Sequence, residues 1–297
     1  MDGIINIYKE KGYTSFDVVA KLRGILKTKK IGHTGTLDPD AEGVLPVCVG
    51  RATRVCDLLT DRDKTYRAVM RLGVTTDTLD MTGNVLKTSD VNLSVSDIKN
   101  VVEEFIGNIS QIPPMYSAIK VDGQRLYDLA RKGVEVERKP RQVTIHAIEI
   151  IDIDLPLVTF EVDCSKGTYI RTLCNDIGEK LGCGGAMESL IRLKAAGFEI
   201  KDAMTLEEVE KKRDDGTLEK EIMSIDQALL DYPAIYCIPD ADRFLKNGNR
   251  LNLDEIISES ESIFNGRLRA YFSDASFAGI YEYEEESKEF KAVKLFI

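Results

Sequence analysis

Lys30-Ile31-Gly32-His33-Thr34-Gly35-Thr36-Leu37-Asp38-Pro39-Asp40-Ala41-Glu42-Gly43-Val44-Leu45-Pro46-Val47 is the most informative stretch of this chain. Its short apolar runs have the character of strands, with Val44 to Val49 a buried one. Between the runs stand glycines, which admit backbone conformations and close approaches that other residues resist. Pro39 biases the residue before it, Asp38, towards extended geometry. The stretch therefore specifies a tightly shaped loop that presents one carboxylate, Asp38, and one imidazole, His33, from a β scaffold. Taken singly, an Asp-Pro step is a turn signal, because these residues dominate turns for local reasons.

Taken whole, residues 32–47, GHTGTLDPDAEGVLPV, resemble the catalytic loop of the pseudouridine synthases, in the TruB branch that modifies uridine 55 of tRNA. The match is long and ungapped, and it continues through residues 3–198 and, faintly, 230–297. It implies an α+β fold, a mixed α/β catalytic domain around a central, mainly antiparallel sheet, followed by a small C-terminal β-rich domain of the PUA-like kind. The expected division is residues 1–230, carrying a basic RNA-clamping insertion at about 111–146, and residues 231–297.

Composition agrees with such a protein without selecting it. A chain of 297 residues, 43% hydrophobic and 30% charged, can build a large core and a small appendage. No apolar run approaches the roughly 18 residues of a membrane span, and the N-terminus lacks a charged region followed by an apolar one, so a cytoplasmic location is expected. The six cysteines (48, 56, 164, 174, 183 and 237) include no CxxC pair and the histidines are only His33 and His146, which disfavours a zinc site. No metal or cofactor is expected.

The net charge of -10 argues against nucleic acid until its distribution is followed. From Glu199 to Ile297 there are 13 basic and 23 acidic residues, so the other 198 residues, with 27 of each, are neutral. Residues 1–70 hold 12 basic against 9 acidic, and residues 115–146 hold 7 against 4. Local basic surface, not total charge, sets a phosphate footprint.

Working outward from the loop, residues 3–9 read as a strand, and Thr14-Ser15 offers an N-cap for a helix with Phe16, Val19, Ala20, Arg23 and Leu26 on one face. This first motif keeps Lys9 and Gly12 but has Glu10 where the family usually has proline. Residues 51–59 suggest a short helix. Strict alternation over residues 63–73 makes a half-exposed strand, and its Lys64-Thr65-Tyr66 resembles a family motif that places Tyr66 against the target base. The acids of residues 73–80 read as turn formers. Ser94 to Asp97 opens a helix in capping-box fashion, with Ile98, Val101, Val102 and Phe105 at helical spacing.

Residues 111–125, QIPPMYSAIKVDGQR, form a second signature, with Asp122-Gly123 as a two-residue hairpin turn and a short helix over 126–132. Lys120, Arg125, Arg131, Lys132, Arg138, Lys139 and Arg141 make this the most basic part of the chain, expected to be a flexible arm clamping an RNA backbone. Two alternating strands lead to Gly167-Thr168-Tyr169-Ile170-Arg171. Arg171 falls in the first turn of a helix, where the macrodipole disfavours a cation unless an anion compensates. The resemblance names that anion as Asp38, and includes Tyr169 among the substrate-binding residues. Ser189-Leu190-Ile191-Arg192-Leu193 resembles a motif whose leucine packs on uracil, with Arg192 in support. Alternating segments 267–273, 277–284 and 290–296 complete the C-terminal β region.

The chemistry implied is detachment of uracil from C1′ of its ribose, rotation and rejoining through C5. Asp38 would act at C1′, kept ionised by Arg171. Tyr66 would stack on the base and help remove the C5 proton, and Leu190 would exclude water. His33 would fill the space left by the flipped nucleotide, and Lys9 would contact RNA. Two other readings stand beside this one. A guide-dependent or chaperone relative would bind RNA without independent turnover. A glycosidic hydrolase would need a second carboxylate, such as Asp40 or Glu42, opposite Asp38.

Overall fold

In the computed structural model, which describes residues 1–297 apart from Ala118, Asp122, Glu135, Glu259 and Ser260, the first strand, β1 (Gly3–Lys9), is buried along almost its whole length. The helix α1 (Ser15–Leu26) follows, its start fixed by a reciprocal capping box between Thr14 and Asp17. Next come β2 (Ile31–His33) and β3 (Glu42–Val49), joined by the loop of residues 34–41. A 3-10 turn at Gly50–Val55 enters α2 (Cys56–Thr60), where residues 51–59 suggested a single helix. Then come β4 (Lys64–Leu72), a hairpin of β5 (Val74–Thr76) and β6 (Val85–Thr88), and the capped helix α3 (Val95–Glu103).

The apolar face expected of α1 is offset from the one the protein buries. Ser15, Val18, Val19 and Leu22 face inward, while Phe16 is 68% exposed and Ala20 and Arg23 are also exposed. The reason lies at the helix start. The Ser15 hydroxyl donates to the Leu37 carbonyl and accepts from the Leu37 N–H (3.3 and 2.9 Å), which turns that polar position inward and Phe16 out.

Past β7 (Gly107–Gln111), the basic insertion folds as β8 (Lys120–Val121) paired with β9 (Gln124–Arg125), then α4 (Leu126–Arg131). The Asp122-Gly123 turn includes a residue outside the described ones. A long hairpin of β10 (Arg141–Asp154) and β11 (Leu157–Cys164) leads to α5 (Ile170–Lys180) and β12 (Gly185–Ala195).

These strands form one sheet in the order β1-β3-β12-β4-β11-β10-β7, with β2 added beside β3 and β13 (Phe198–Glu199) beside β12. Only the β3–β12 neighbours run parallel among the described residues, so the sheet is mainly antiparallel. On β4 the alternation puts Tyr66, Ala68, Met70 and Leu72 into a core shared with α3 and α5. At the other end of the sheet, α1 and α6 (Leu206–Asp214) cover β1 and β3.

The C-terminal region contains β14 (Ala234–Cys237), α7 (Asp242–Lys246), β15 (Ile256–Ile257), β16 (Arg267–Tyr271), β17 (Phe277–Glu284) and β18 (Glu289–Leu295). Its five strands order as β15-β14-β16-β17-β18. Ile280 and Phe296 share a core with Ile4, Val44 and Cys48, and Arg54 donates to the Leu295 carbonyl at 2.7 Å. The acidic C-terminal sheet is therefore packed against the edge of the large one. No helix among the described residues is long and apolar enough to cross a membrane.

Candidate active site

Asp38 projects from the β2–β3 loop, within a turn closed by the Ala41 N–H donating to the Asp38 carbonyl at 3.1 Å. Lys9 holds this loop from beneath. Its side chain has no exposed surface, and its ammonium donates to the carbonyls of Ala41 (2.6 Å), Pro39 (3.1 Å) and Glu10 (3.1 Å). Burial pulls its pKa down to about 8, against the opposing pull of Glu42, Asp38 and Asp40. The expectation that Lys9 contacts RNA is thus corrected: its three protons are spent inside the protein, and it shapes the loop.

Arg171 reaches the loop from the first turn of α5. Its Nε lies 3.1 Å from one Asp38 oxygen and a terminal nitrogen donates to the other at 3.3 Å, a two-point grip. The guanidinium, 6% exposed, also donates to the carbonyls of Tyr116 (2.8 Å) and Thr78 (3.3 Å), and stands 3.6 Å from a carboxylate oxygen of Asp80. Two carboxylates thus offset a cation at the wrong end of a helix dipole. The sequence around Asp80 reads only as a turn. Asp80 forms that turn too, since its other oxygen accepts from Thr78 and from the N–H and hydroxyl of Thr82 (2.7, 3.0 and 2.5 Å).

Arg171 was expected to lower the pKa of Asp38. That pull exists, but burial outweighs it. The carboxyl sits above the ordinary carboxylate range, with Asp80 and Asp40 pushing the same way as burial and Lys9 opposing. Yet 40% of the Asp38 side chain meets solvent. It is a recessed carboxylate with one open face.

Tyr66 and Leu190 belong to the apolar cluster that includes Leu37, the residue before Asp38. Tyr66 sits opposite Arg192 in the β4–β12 register. Burial raises the phenol's pKa, and the adjacent Arg192 guanidinium counters it. Arg192 is only 1% exposed and donates to the carbonyls of Val44 (2.6 Å) and Gly35 (3.2 Å), tying the loop, β3 and the tyrosine strand together. This contact demands glycine at 43. With φ at +104°, a Cβ there would lie 2.3 Å from the Arg192 carbonyl oxygen.

His33 ends β2, and its Nδ1 accepts from the Gly35 N–H at 3.2 Å, which puts the neutral ring's proton on Nε2. Burial, then the charge of Arg192, holds its pKa below 6.5. Tyr169 is the residue before α5. Gln111 clamps its backbone, the Tyr169 N–H donating to Oε1 at 3.0 Å and Nε2 donating to the Tyr169 carbonyl at 3.3 Å. That clamp and the Tyr116–Arg171 bond fasten the start of the basic insertion over the site.

The basic residues expected to clamp RNA divide. Arg131, Lys132 and Arg141 are exposed, whereas Arg138 folds back to donate to the Pro113 carbonyl at 3.1 Å. Lys120 and Arg125 face one another in the β8–β9 register, and their side chains lie outside the described set. No group of three or more His, Cys, Asp or Glu suited to a metal occurs among the described residues. A depression of about 380 Å³ lined by Asp63, Thr65, His146, Asp163, Lys194 and Glu199 contains none of Asp38, Tyr66 or Arg171, and opens on the polar face of β4.

Residues 23–170 match the family described as TruB family pseudouridylate synthase (N terminal domain), and residues 171–230 match the tRNA pseudouridylate synthase B C-terminal domain. Among curated relatives, "tRNA pseudouridine synthase B" of Lachnoclostridium phytofermentans is 54% identical across the full length of both chains. The protein of that name from Clostridium kluyveri is 48% identical, again over 100% of each. Among solved structures, the chain resembles one in a Cbf5-Nop10-Gar1 complex, with TM-score 0.78 and 27% identity over 99% of this chain and 85% of that one. It also resembles one in an H/ACA RNP bound to a substrate RNA containing 2′-deoxyuridine, with TM-score 0.77 and 26% identity over the same shares. Fold and sequence together define a pseudouridine synthase, an isomerase. The chain belongs to the TruB family of pseudouridylate synthases.

Proposed function

We propose that this chain converts uridine 55 in the T-loop of tRNA to pseudouridine, without a guide RNA. The observation that carries this reading is the Asp38–Arg171 pair, a carboxylate gripped at two points yet open on one side. The flipped uridine enters with C1′ against Asp38. As the glycosidic bond breaks, C1′ gains positive character, and the carboxylate adds to C1′, takes the C2′ proton or stabilises the cation. All three routes need Asp38 ionised and correctly oriented, which is the work of Arg171, itself braced by Asp80. Uracil lies on Tyr66 and Leu190 while it turns. Tyr66 helps remove the C5 proton after rejoining, with Arg192 partly offsetting the burial that raises the phenol's pKa.

His33, its pKa held below the ordinary imidazole value by burial and then by Arg192, stacks in the space the nucleotide leaves. Tyr169 walls the site. Arg131, Lys132 and Arg141, with Lys120 and Arg125, meet phosphates. Residues 1–230 serve as the catalytic domain, and residues 231–297 as a PUA-like domain whose acidity limits it to a narrow RNA contact. The tRNA substrate is supported by relatives named tRNA pseudouridine synthase B at 44–54% identity, and the cytoplasm is the location where that substrate is met. The resemblance to subunits of H/ACA complexes is at 26–27% identity, so the guide-dependent reading ranks second. Replacing uridine 55 by cytidine in a tRNA labelled at C5 of uridine tests the assignment. Loss of tritium release is expected, and undiminished release would move the target elsewhere.

A further inference from the structure

We propose that the solvent face of α1 is a second RNA-contact surface, a track leading away from the catalytic loop along which the substrate RNA outside the flipped nucleotide lies. This rests on the reading of tRNA as substrate. Phe16 begins the track, 68% exposed, directly after Ser15, whose hydroxyl exchanges hydrogen bonds with the backbone of Leu37 beside Asp38. The glycine before the helix, Gly12, donates to the Pro39 carbonyl at 2.9 Å, so this end of α1 is fastened to the loop from both sides of its cap.

From Phe16, exposed Ala20, Arg23, Gly24 and Lys27 recur at helical spacing on one face. Phe16 to Lys27 covers about 16 Å of helix. Arg23 and Lys27 have no hydrogen-bond or ion-pair partner among the described residues. The opposite side of α1 is the one that meets β1, β3 and α6, and Lys21, on a flank, is occupied with the Tyr13 hydroxyl at 2.9 Å.

Charge names the partner. Residues 11–30 contain six basic side chains and one acid, Asp17, in a protein of net charge -10. Asp17 is engaged in the helix cap. The helix dipole accounts for cations near the C-terminal end of α1. It does not account for an aromatic ring held in water at the other end. A flat apolar ring followed by unpaired cations suits nucleic acid, because bases stack on aromatic rings and phosphates neutralise the cations.

The test uses the full chain, an unmodified tRNA transcript and a stem-loop restricted to the T-arm. Arg23→Glu/Lys27→Glu should weaken tRNA binding about tenfold and lower the slope of log K against log salt by roughly 1.5, the value for two phosphate contacts. Phe16→Ala should weaken it about fivefold or more, and Phe16→Trp should restore it. Single-turnover rates at saturating tRNA should stay at the wild-type value for all three variants, with unchanged unfolding temperatures. A smaller defect on the T-arm stem-loop would show that the track reaches RNA beyond that arm, while an equal defect would place it on the arm itself, and both support the contact. Wild-type affinity and salt slope in these variants, on a tRNA that the wild-type protein turns over, would overturn the inference. Failure of the wild-type protein to turn over tRNA would instead reject the substrate reading on which it rests.

Discussion

Arg171→Met removes the cation while keeping most of the apolar stem, and its effect can be worked from the geometry. The guanidinium contacts both Asp38 oxygens at 3.1 and 3.3 Å. Two unit charges about 4 Å apart interact by about 4 kcal/mol at an effective dielectric constant of 20. Solvent reaches 40% of the Asp38 side chain, and screening of that order leaves about 2 kcal/mol, or about 1.5 pH units in the carboxyl pKa. Because burial already holds this pKa above the ordinary 3.8, the acid limb of single-turnover rate against pH should move up by about 1.5 units. Arg171→Lys should move it less, since charge is kept and the two-point grip is lost. A second readout has its own sign. A carboxyl whose pKa is raised by folding stabilises the fold most below its unfolded value, and that contribution is lost as pH climbs through the folded value. The Met variant raises the folded value further, so its unfolding free energy should decline relative to wild type across that window. An acid limb that stays in place in a folded Arg171→Met protein would refute the coupling.

Other perturbations separate support from chemistry. Lys9→Met removes the ammonium that ties the loop carbonyls of Pro39 and Ala41 to that of Glu10. It should cost about 2–3 kcal/mol in denaturant unfolding while leaving the salt dependence of RNA binding unchanged, a result opposite to that for a phosphate contact. Gly43→Ala drives a Cβ into the Arg192 backbone and should destabilise by about 3 kcal/mol or prevent folding, read by urea titration. Burial and the Arg192 charge hold the His33 pKa below its ordinary value, so a step in RNA affinity from its titration should have its midpoint on the acid side of the ordinary imidazole value; His33→Phe should retain binding better than His33→Ala. Tyr66→Phe keeps the stacking ring and loses the hydroxyl, so it should bind tRNA like wild type and fall by at least about a hundredfold in turnover.

What the residues themselves made legible was local: a glycine-bounded Asp-Pro loop, an alternating strand that carries Tyr66 and an arginine in a helix's first turn. That Asp38 and Tyr66 do chemistry was an expectation drawn from the family resemblance, because an Asp-Pro step taken singly is a turn. That same first-turn position of Arg171 called for an anion before any contact was known. Asp80 was missed as its second anion because its local sequence fully explains it as a turn, and the contact crosses 91 residues of chain. Lys9 was misplaced because a lysine near an RNA-modifying loop reads as a phosphate ligand, and only the loop's curl brings the Pro39 and Ala41 carbonyls onto it beside that of Glu10. On α1 periodicity gave the helix but the wrong face, since Ser15 is buried for its hydrogen bonds and Phe16 is not buried at all. The pKa of Asp38 turned on burial, a sum over the whole surroundings that no motif records.

The most direct test measures tritium release from unmodified tRNA carrying 5-tritiated uridine, with no guide or cofactor added, for wild type and Asp38→Asn side by side. Release by wild type, absent from an Asp38→Asn protein that still binds the tRNA, is the predicted result. Substantial release by Asp38→Asn, or none by wild type despite tight binding, would contradict the account.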